Sequence, residues 1–406
     1  MRPTRLEPTS PPDRPAPDRP GPARGGLDVL FASAMPHLPQ TYGGVATNTR
    51  ELAEGLAARG HRASVLARLS YGNAFGLGTA LRMRLRGETI ARDHVDGCPV
   101  HRARAPWAAA ARLPRPDVAV VQDGRMLPMI QAFRDAGVPT VAYFHGLEFE
   151  DWTREGRPLA PAELPPVRYL ANSAFTAERF RARYGLRAAV IRPVFHPARY
   201  RTSWRPAHVT FVNPVPEKGL EIALSVAQAC PDIPFVFVKG WPLSPRARVA
   251  LGQRLRALPN VGLREPTDDM REVYATTRVL LAPSVWDRET WGRVASEAHC
   301  SGIPVLGSDR GGLPEAIGPG GLIVPAAAAA ERWTEALRRL WSDADEFDAR
   351  SRAASAYARR ADLDVRRQVD AFLAVLGEAV ATDGPAPAAR PAPRHRARER
   401  SGVQDA

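Results

Sequence analysis

The chain has 406 residues, 44% hydrophobic and 24% charged, with a formal net charge of +13. That length and apolar content support two domains with large cores. No apolar run approaches the ~18 residues of a membrane span, and the N-terminus lacks the apolar stretch of a secretory signal, so a cytoplasmic location is expected.

The 40 prolines crowd the two ends, and residues 1–25 and 383–406 are expected to be disordered tails. Cys98, Cys230 and Cys300 have no CxxC spacing and no clustered histidines, which points to reduced thiols and no structural zinc. Net charge is +10 over residues 26–206 and −1 over residues 207–382. The basic excess is densest at Arg82, Arg84, Arg86, Arg92, Arg102, Arg104, Arg112 and Arg115. Such a surface suits an anionic membrane or an acidic acceptor, or is simply a solvated face. No motif or aromatic series for nucleic-acid binding accompanies it.

In chain order, Leu27–Ala32 predicts a buried strand, followed by a loop with Gly43-Gly44, a helix through Ala58 stopped by Gly60, and a strand from His61 to Ala67. The double glycine lets backbone approach a phosphate or sugar with no Cβ in the way. Residues 70–90 and 104–116 carry no interpretable motif. Val138–Phe144 reads as a strand ending at His145-Gly146. Ligands of open parallel sheets bind at such carboxyl ends, although a lone histidine is more often structural. Val167–Ala171 and then Asn172–Ala177 read as a strand and an N-capped helix ending near Gly185. The proline-rich stretch 192–206 breaks periodicity and is assigned as a linker.

After the linker the pattern restarts with strand Val209–Val212, then Asn213 to Gly219, a helix through Ala229, and strand Phe235–Val238. A second βαβ unit predicts a second Rossmann-like domain. Lys218 and Lys239 are the only lysines among 56 basic side chains. A lysine retained at the mouth of a helix suggests that a compact ammonium matters there.

Pro283 to Glu315 reads PSVWDRETWGRVASEAHCSGIPVLGSDRGGLPE. At about 100° per residue, Glu289 and Glu297 on one helix would diverge by roughly 80°. Turn residues Pro283, Ser284 and Asp287 instead put Glu289 on a loop, and Gly292 onward opens a helix that carries Glu297. Backbone N–H groups at the helix start, Trp291 to Arg293, suit a phosphate. Ile303–Leu306 follows as a strand, and Gly311-Gly312 opens another helix.

The order E-x-aromatic-G, E-A-x-x-x-G-x-P-V, G-G-x-x-E, with Lys218-Gly219 upstream, resembles family 4 of the retaining GT-B glycosyltransferases, over about residues 27–325. The resemblance implies an α/β GT-B fold with two Rossmann-like domains facing a central cleft: residues 26–191 for the acceptor, 207–352 for the donor, and 353–382 as C-terminal helices packing back on the first domain, with Val365 to Val380 crossing over. It implies transfer of a sugar, with retention, from a nucleoside diphosphate donor (UDP-linked) to a hydroxyl of a small-molecule, lipid-linked or polysaccharide acceptor. His145, Lys218 and Glu289 are then the catalytic candidates: His145 and Glu289 on the sugar, Lys218 on the pyrophosphate. Gly43, Gly44, Asn213, Thr290, Trp291, Gly292, Arg293 and Glu297 are substrate-binding candidates, with Glu297 on the ribose.

No cofactor or metal is implied. Asp362 and Asp364 have the DxD spacing but lie in the terminal region. Two positions depart from the family pattern: Asn213 replaces an arginine on the pyrophosphate, so either Arg293 or Arg310 compensates or the donor is bound differently, and Trp291 replaces phenylalanine. A nucleotide-sugar epimerase and a catalytically silent nucleotide-sugar-binding partner are the alternatives. A nicotinamide oxidoreductase is disfavoured, since no G-x-G-x-x-G follows a strand.

Overall fold

The computed structural model describes residues 25–151, 159–241 and 243–383. The ends expected to be disordered lie outside the described residues, apart from Gly25 and Asp383.

Two α/β sheets organise the chain. The first holds β1 (Asp28–Ala32), β2 (Arg62–Arg68), β3 (Ile90–Val95), β4 (Cys98–Ala103), β5 (Val118–Gln122), β6 (Thr140–Phe144), β7 (Arg168–Ala171) and β8 (Ala189–Val190), in the order 3-4-2-1-5-6-7-8. Its neighbours are parallel except for the β3–β4 pair at the edge. The second is all parallel, with β9 (His208–Val212), β10 (Phe235–Val238), β11 (Val261–Arg264), β12 (Thr277–Ala282), β13 (Val305–Ser308) and β14 (Gly321–Val324) in the order 11-10-9-12-13-14. Central strands are unbroken apolar runs because helices cover both faces. Val118 to Val121, for instance, are fully buried.

In each sheet the strand order reverses once, at β1/β5 and at β9/β12. Connections leave such a pair in opposite directions and open a crevice at the carboxyl ends. Ser33, Gln122, Asn213 and Ser284, at or near the ends of these four strands, all line one cavity.

The last helix, Val365–Asp383, crosses to the first domain. Val369, Phe372, Leu376 and Ala379 recur on one face and are fully buried against Val29, Phe31, Val120 and Val141. Gly55 allows close approach, since a Cβ there would collide with Val369. The crossing differs from expectation in its start. The preceding helix, Ala344–Tyr357, stays on the second domain, where the Tyr357 hydroxyl donates to the Glu315 carbonyl at 3.1 Å. The return therefore begins at Val365 rather than at residue 353. Asp362 and Asp364 serve this crossover: Asp362 pairs with Arg192 at 3.2 Å and Arg360 at 2.9 Å, and Asp364 caps the last helix through the Arg367 N–H at 2.9 Å.

Phe372 stacks on Phe31 with ring centroids 5.9 Å apart. Phe372→Ala is expected to cost about 3–5 kcal/mol in urea unfolding; a loss below 1 kcal/mol would mean that the crossover helix contributes little to the first domain.

Candidate active site

A cavity of about 1150 Å³ lies between the carboxyl ends of the two sheets. All eleven residues singled out above line it: Gly43, Gly44 and His145 from the first domain, and Asn213, Lys218, Glu289, Thr290, Trp291, Gly292, Arg293 and Glu297 from the second.

Lys218 ends a short turn after β9, and its Nζ donates to Glu289 Oε2 at 2.6 Å. The ammonium also lies 5.1 Å from the ring centroids of both Trp241 and Trp286, which stand edge to face at 84°. Two aromatic faces attract the cation and fix its position. An ammonium carries three donors, and two remain beyond the Glu289 bond.

Glu289 sits on a loop because the second double glycine holds that loop. A Cβ on Gly311 would strike the Glu289 carbonyl and one on Gly312 the Thr290 carbonyl, while Gly312 N–H donates to Glu289 O at 2.7 Å. Gly292, at φ +79°, turns the chain into helix Arg293–His299. That helix is only seven residues long, and Glu297 lies on its inner side.

Asn213 occupies the left-handed region at φ +62°. Its Oδ1 accepts the Trp241 N–H at 2.6 Å. The side chain thus shapes the loop after β10 and keeps its amide N–H₂ for a ligand. Two arginines are the candidates to compensate for the missing charge. Arg310 does not line the cavity, and Arg293 is engaged elsewhere.

The Arg293 guanidinium crosses the domain boundary. It reaches Glu51 Oε1 at 3.1 Å, Glu297 Oε1 at 3.2 Å, the Tyr200 hydroxyl at 2.9 Å and the Val194 carbonyl at 3.1 Å. Tyr200 donates to Glu51, and Tyr274 donates to Glu297 Oε2 at 2.9 Å. Burial pushes the Glu297 carboxyl up, against the pull of Arg293 and the Tyr274 hydroxyl. Each Glu297 oxygen already has a partner, so a ribose hydroxyl would use the remaining lone pairs.

On the opposite wall, His145 follows β6. Gln122 Nε2 donates to Thr49 Oγ1 at 2.5 Å, so its Oε1 accepts from His145 Nε2, 3.1 Å away, and the ring carries its proton on Nε2. Burial, with the Arg293 charge, pushes His145 down to about 3, so the ring is neutral at physiological pH. Its carbonyl accepts from Thr290 Oγ1 at 2.5 Å, and Asn172 Nδ2 donates to the same hydroxyl at 2.9 Å. Thr290 thereby ties the donor-side loop to the first domain. Glu315 makes a second tie, accepting from Ala174 N–H at 2.9 Å and pairing with Arg192 at 2.7 Å.

Sequence reading missed Glu51, Gln122, Asp123, Glu148, Trp241 and Trp286. Asp123 and Gly124 both have positive φ, at +58° and +68°, right after β5, so a QDG at a strand end was a usable signal. Glu148 Oε1 accepts from His145 N–H at 3.0 Å and Gly146 N–H at 2.8 Å, while Oε2 is buried without a partner. Burial and the Asp123 charge push Glu148 up to about 8, and burial pushes Asp123 to about 6.

Two outcomes follow. Arg293→Leu, which strands Glu51 and Glu297, is expected to cost about 3–5 kcal/mol in chemical denaturation; a near-neutral effect would remove the guanidinium from the domain interface. For Glu148, the folded chain keeps a proton that the unfolded chain loses from about pH 4.5. Its contribution therefore falls as pH rises, and between pH 6.5 and 8 stability should drop by up to roughly 2 kcal/mol. Glu148→Gln should flatten that decline in thermal melts; an unchanged slope would contradict the assignment.

Residues 42–198 match the profile described as Glycosyltransferase Family 4 and residues 207–343 that described as Glycosyl transferases group 1. D-inositol 3-phosphate glycosyltransferase of Segniliparus rotundus is 32% identical over 164 residues, covering 37% of this chain and 36% of that protein. The Saccharomonospora viridis protein of the same name is 36% identical over 115 residues, 28% and 26% of the two chains. The chain thus aligns with about a third or less of these relatives' length. Among solved structures, a glycosyltransferase from Rickettsia africae superposes with TM-score 0.65 at 13% identity, covering 88% of this chain and 99% of that one. Anabaena HepE in complex with UDP-glucose gives 0.64 at 17%, covering 86% and 99%. The architecture is the GT-B fold, and with both of its halves matched the chain belongs to the family 4, group 1 glycosyltransferases.

Proposed function

We propose that the chain transfers a sugar from a nucleoside diphosphate sugar to a hydroxyl of a small-molecule, lipid-linked or polysaccharide acceptor, with retention and without requiring a metal. The observation that carries this reading is the convergence of Lys218, Glu289 and His145 on one cavity at the carboxyl ends of both sheets. The similar HepE structure holds UDP-glucose, which makes uridine the donor base to test first.

As the bond from the anomeric carbon to phosphate breaks, its electron pair moves to the β-phosphate. Lys218 and backbone N–H groups near Thr290 to Arg293 stabilise that charge, the more strongly as domain closure on the donor expels water. The acceptor oxygen bonds to the same face of the carbon, and its proton passes to the departing phosphate oxygen. In this scheme neutral His145 offers Nδ1 to a sugar hydroxyl, Glu289 holds the sugar and positions Lys218, and Glu297 binds the ribose. Gly43 and Gly44 border the cleft; a Cβ on Gly44 would lie 3.2 Å from Arg293 Cδ, so the loop packs closely against the second domain.

A cytoplasmic location belongs to the same proposal. All three cysteines are unpaired, and no helix among the described residues is long and apolar enough to cross a membrane.

Asn213 favours a second reading, a silent nucleotide-sugar-binding partner, because an uncharged side chain stands where the family pattern has an arginine on the pyrophosphate. Release of nucleoside diphosphate from UDP-sugars, with and without a panel of hydroxyl acceptors, separates the two. Acceptor-dependent release supports the transferase; binding without release supports the partner. Lys218→Ala should lower turnover by about a hundredfold or more with the melting temperature preserved, and normal turnover would remove Lys218 from the mechanism. Glu297→Ala should weaken UDP binding in calorimetry, and undiminished affinity would refute the ribose role.

A further inference from the structure

Helix Ala74–Arg86 points its apolar stripe outward. Leu77, Leu81 and Leu85 are 57%, 59% and 78% exposed. At about 100° per residue, a spacing of four keeps them within one 80° arc. The opposite side carries the buried Gly76, Thr79 and Met83, with Met83 packed on Leu69 and Ala91. The leucines are therefore spare to the fold, since the helix already has its core face.

Exposed arginines border the stripe. Arg82 and Arg84 flank it, Arg86 closes the helix, and Arg92 and Arg104 are exposed nearby in sequence. Tyr71, in the preceding loop, is 42% exposed under the Arg104 guanidinium, which lies 5.6 Å from its ring centroid. The surrounding segment, residues 26–206, carries +10 of the +13 net charge.

The helix is also held rigidly. Gly76 packs against Ser70 and Gln40, the Arg102 guanidinium lies 5.0 Å from the Phe75 ring centroid, and Arg102 donates to the His37 carbonyl at 3.2 Å. His37 lines the cavity, so the stripe is fixed relative to the cleft.

We propose that this helix face is a docking surface for an anionic lipid bilayer. Thirteen residues are too few to span one, but a short helix with leucines on one side and arginines along its borders lies in the interfacial plane. The leucines enter the acyl boundary while the arginines meet lipid phosphates. A second copy of the chain is a poorer occupant, because two-fold pairing through this face would bring the same arginines together.

The test is co-sedimentation of the full chain with vesicles of phosphatidylglycerol and phosphatidylcholine, against phosphatidylcholine alone, at low and high salt. Binding is expected to the anionic vesicles, to weaken at high salt, and to fall by about tenfold or more in the variant Leu77→Ser, Leu81→Ser, Leu85→Ser, with its melting temperature preserved. The variant Arg82→Gln, Arg84→Gln, Arg86→Gln should lose the preference for anionic lipid. Absence of vesicle binding, equal binding by the leucine variant, or a dimer in sedimentation velocity that the leucine changes abolish would overturn the proposal.

Discussion

The guanidinium of Arg293 is the point on which the two domains meet. Two carboxylates, Glu51 of the first domain and Glu297 of the second, are buried around it. Neither would tolerate that burial without a cation within bonding distance. Arg293 follows directly from the loop Glu289–Gly292, so the same interaction that joins the domains positions the residues facing the cavity. Thr290 on His145 and Glu315 on Ala174 extend the seam on either side.

This arrangement divides labour among charges that look equivalent in the sequence. Arg293 is spent on structure, so in the proposed mechanism the positive charge for a leaving phosphate is that of Lys218. Its ammonium is held by Glu289 and by two tryptophan rings rather than by a second cation. Asn213 fits that scheme as a builder. A left-handed residue with a short polar side chain is needed to turn the chain after β9 and cap the loop that presents Trp241. An arginine there would lose that cap.

Much of this was legible in the sequence, for local reasons. Apolar runs bounded by glycine and proline marked the strands, and the turn residues before Gly292 placed Glu289 on a loop and Glu297 on a helix. The position of the cavity at the strand ends followed from topology. What stayed hidden depends on partners far apart in the chain. Glu51 lies 242 residues from Arg293, and nothing near it distinguishes it from an ordinary helical glutamate. The glutamate of G-G-x-x-E reads as part of a donor motif yet pins the domains together. The C-terminal crossover appears as a helical composition from Ala353; the family resemblance places the crossing at Val365 to Val380, and the buried Val369, Phe372 and Leu376 show the face that packs on the first domain.

In the proposed reading this cleft binds a nucleoside diphosphate sugar through Lys218, Glu289 and Glu297. Thermal unfolding in a panel of nucleoside diphosphate sugars tests it most directly, because a ligand of the folded state alone raises the transition temperature. A rise is expected with at least one such donor, retained with the free nucleoside diphosphate and lost with the nucleoside. A panel that leaves the transition unmoved, or a nucleoside that shifts it as much as its diphosphate, would contradict it.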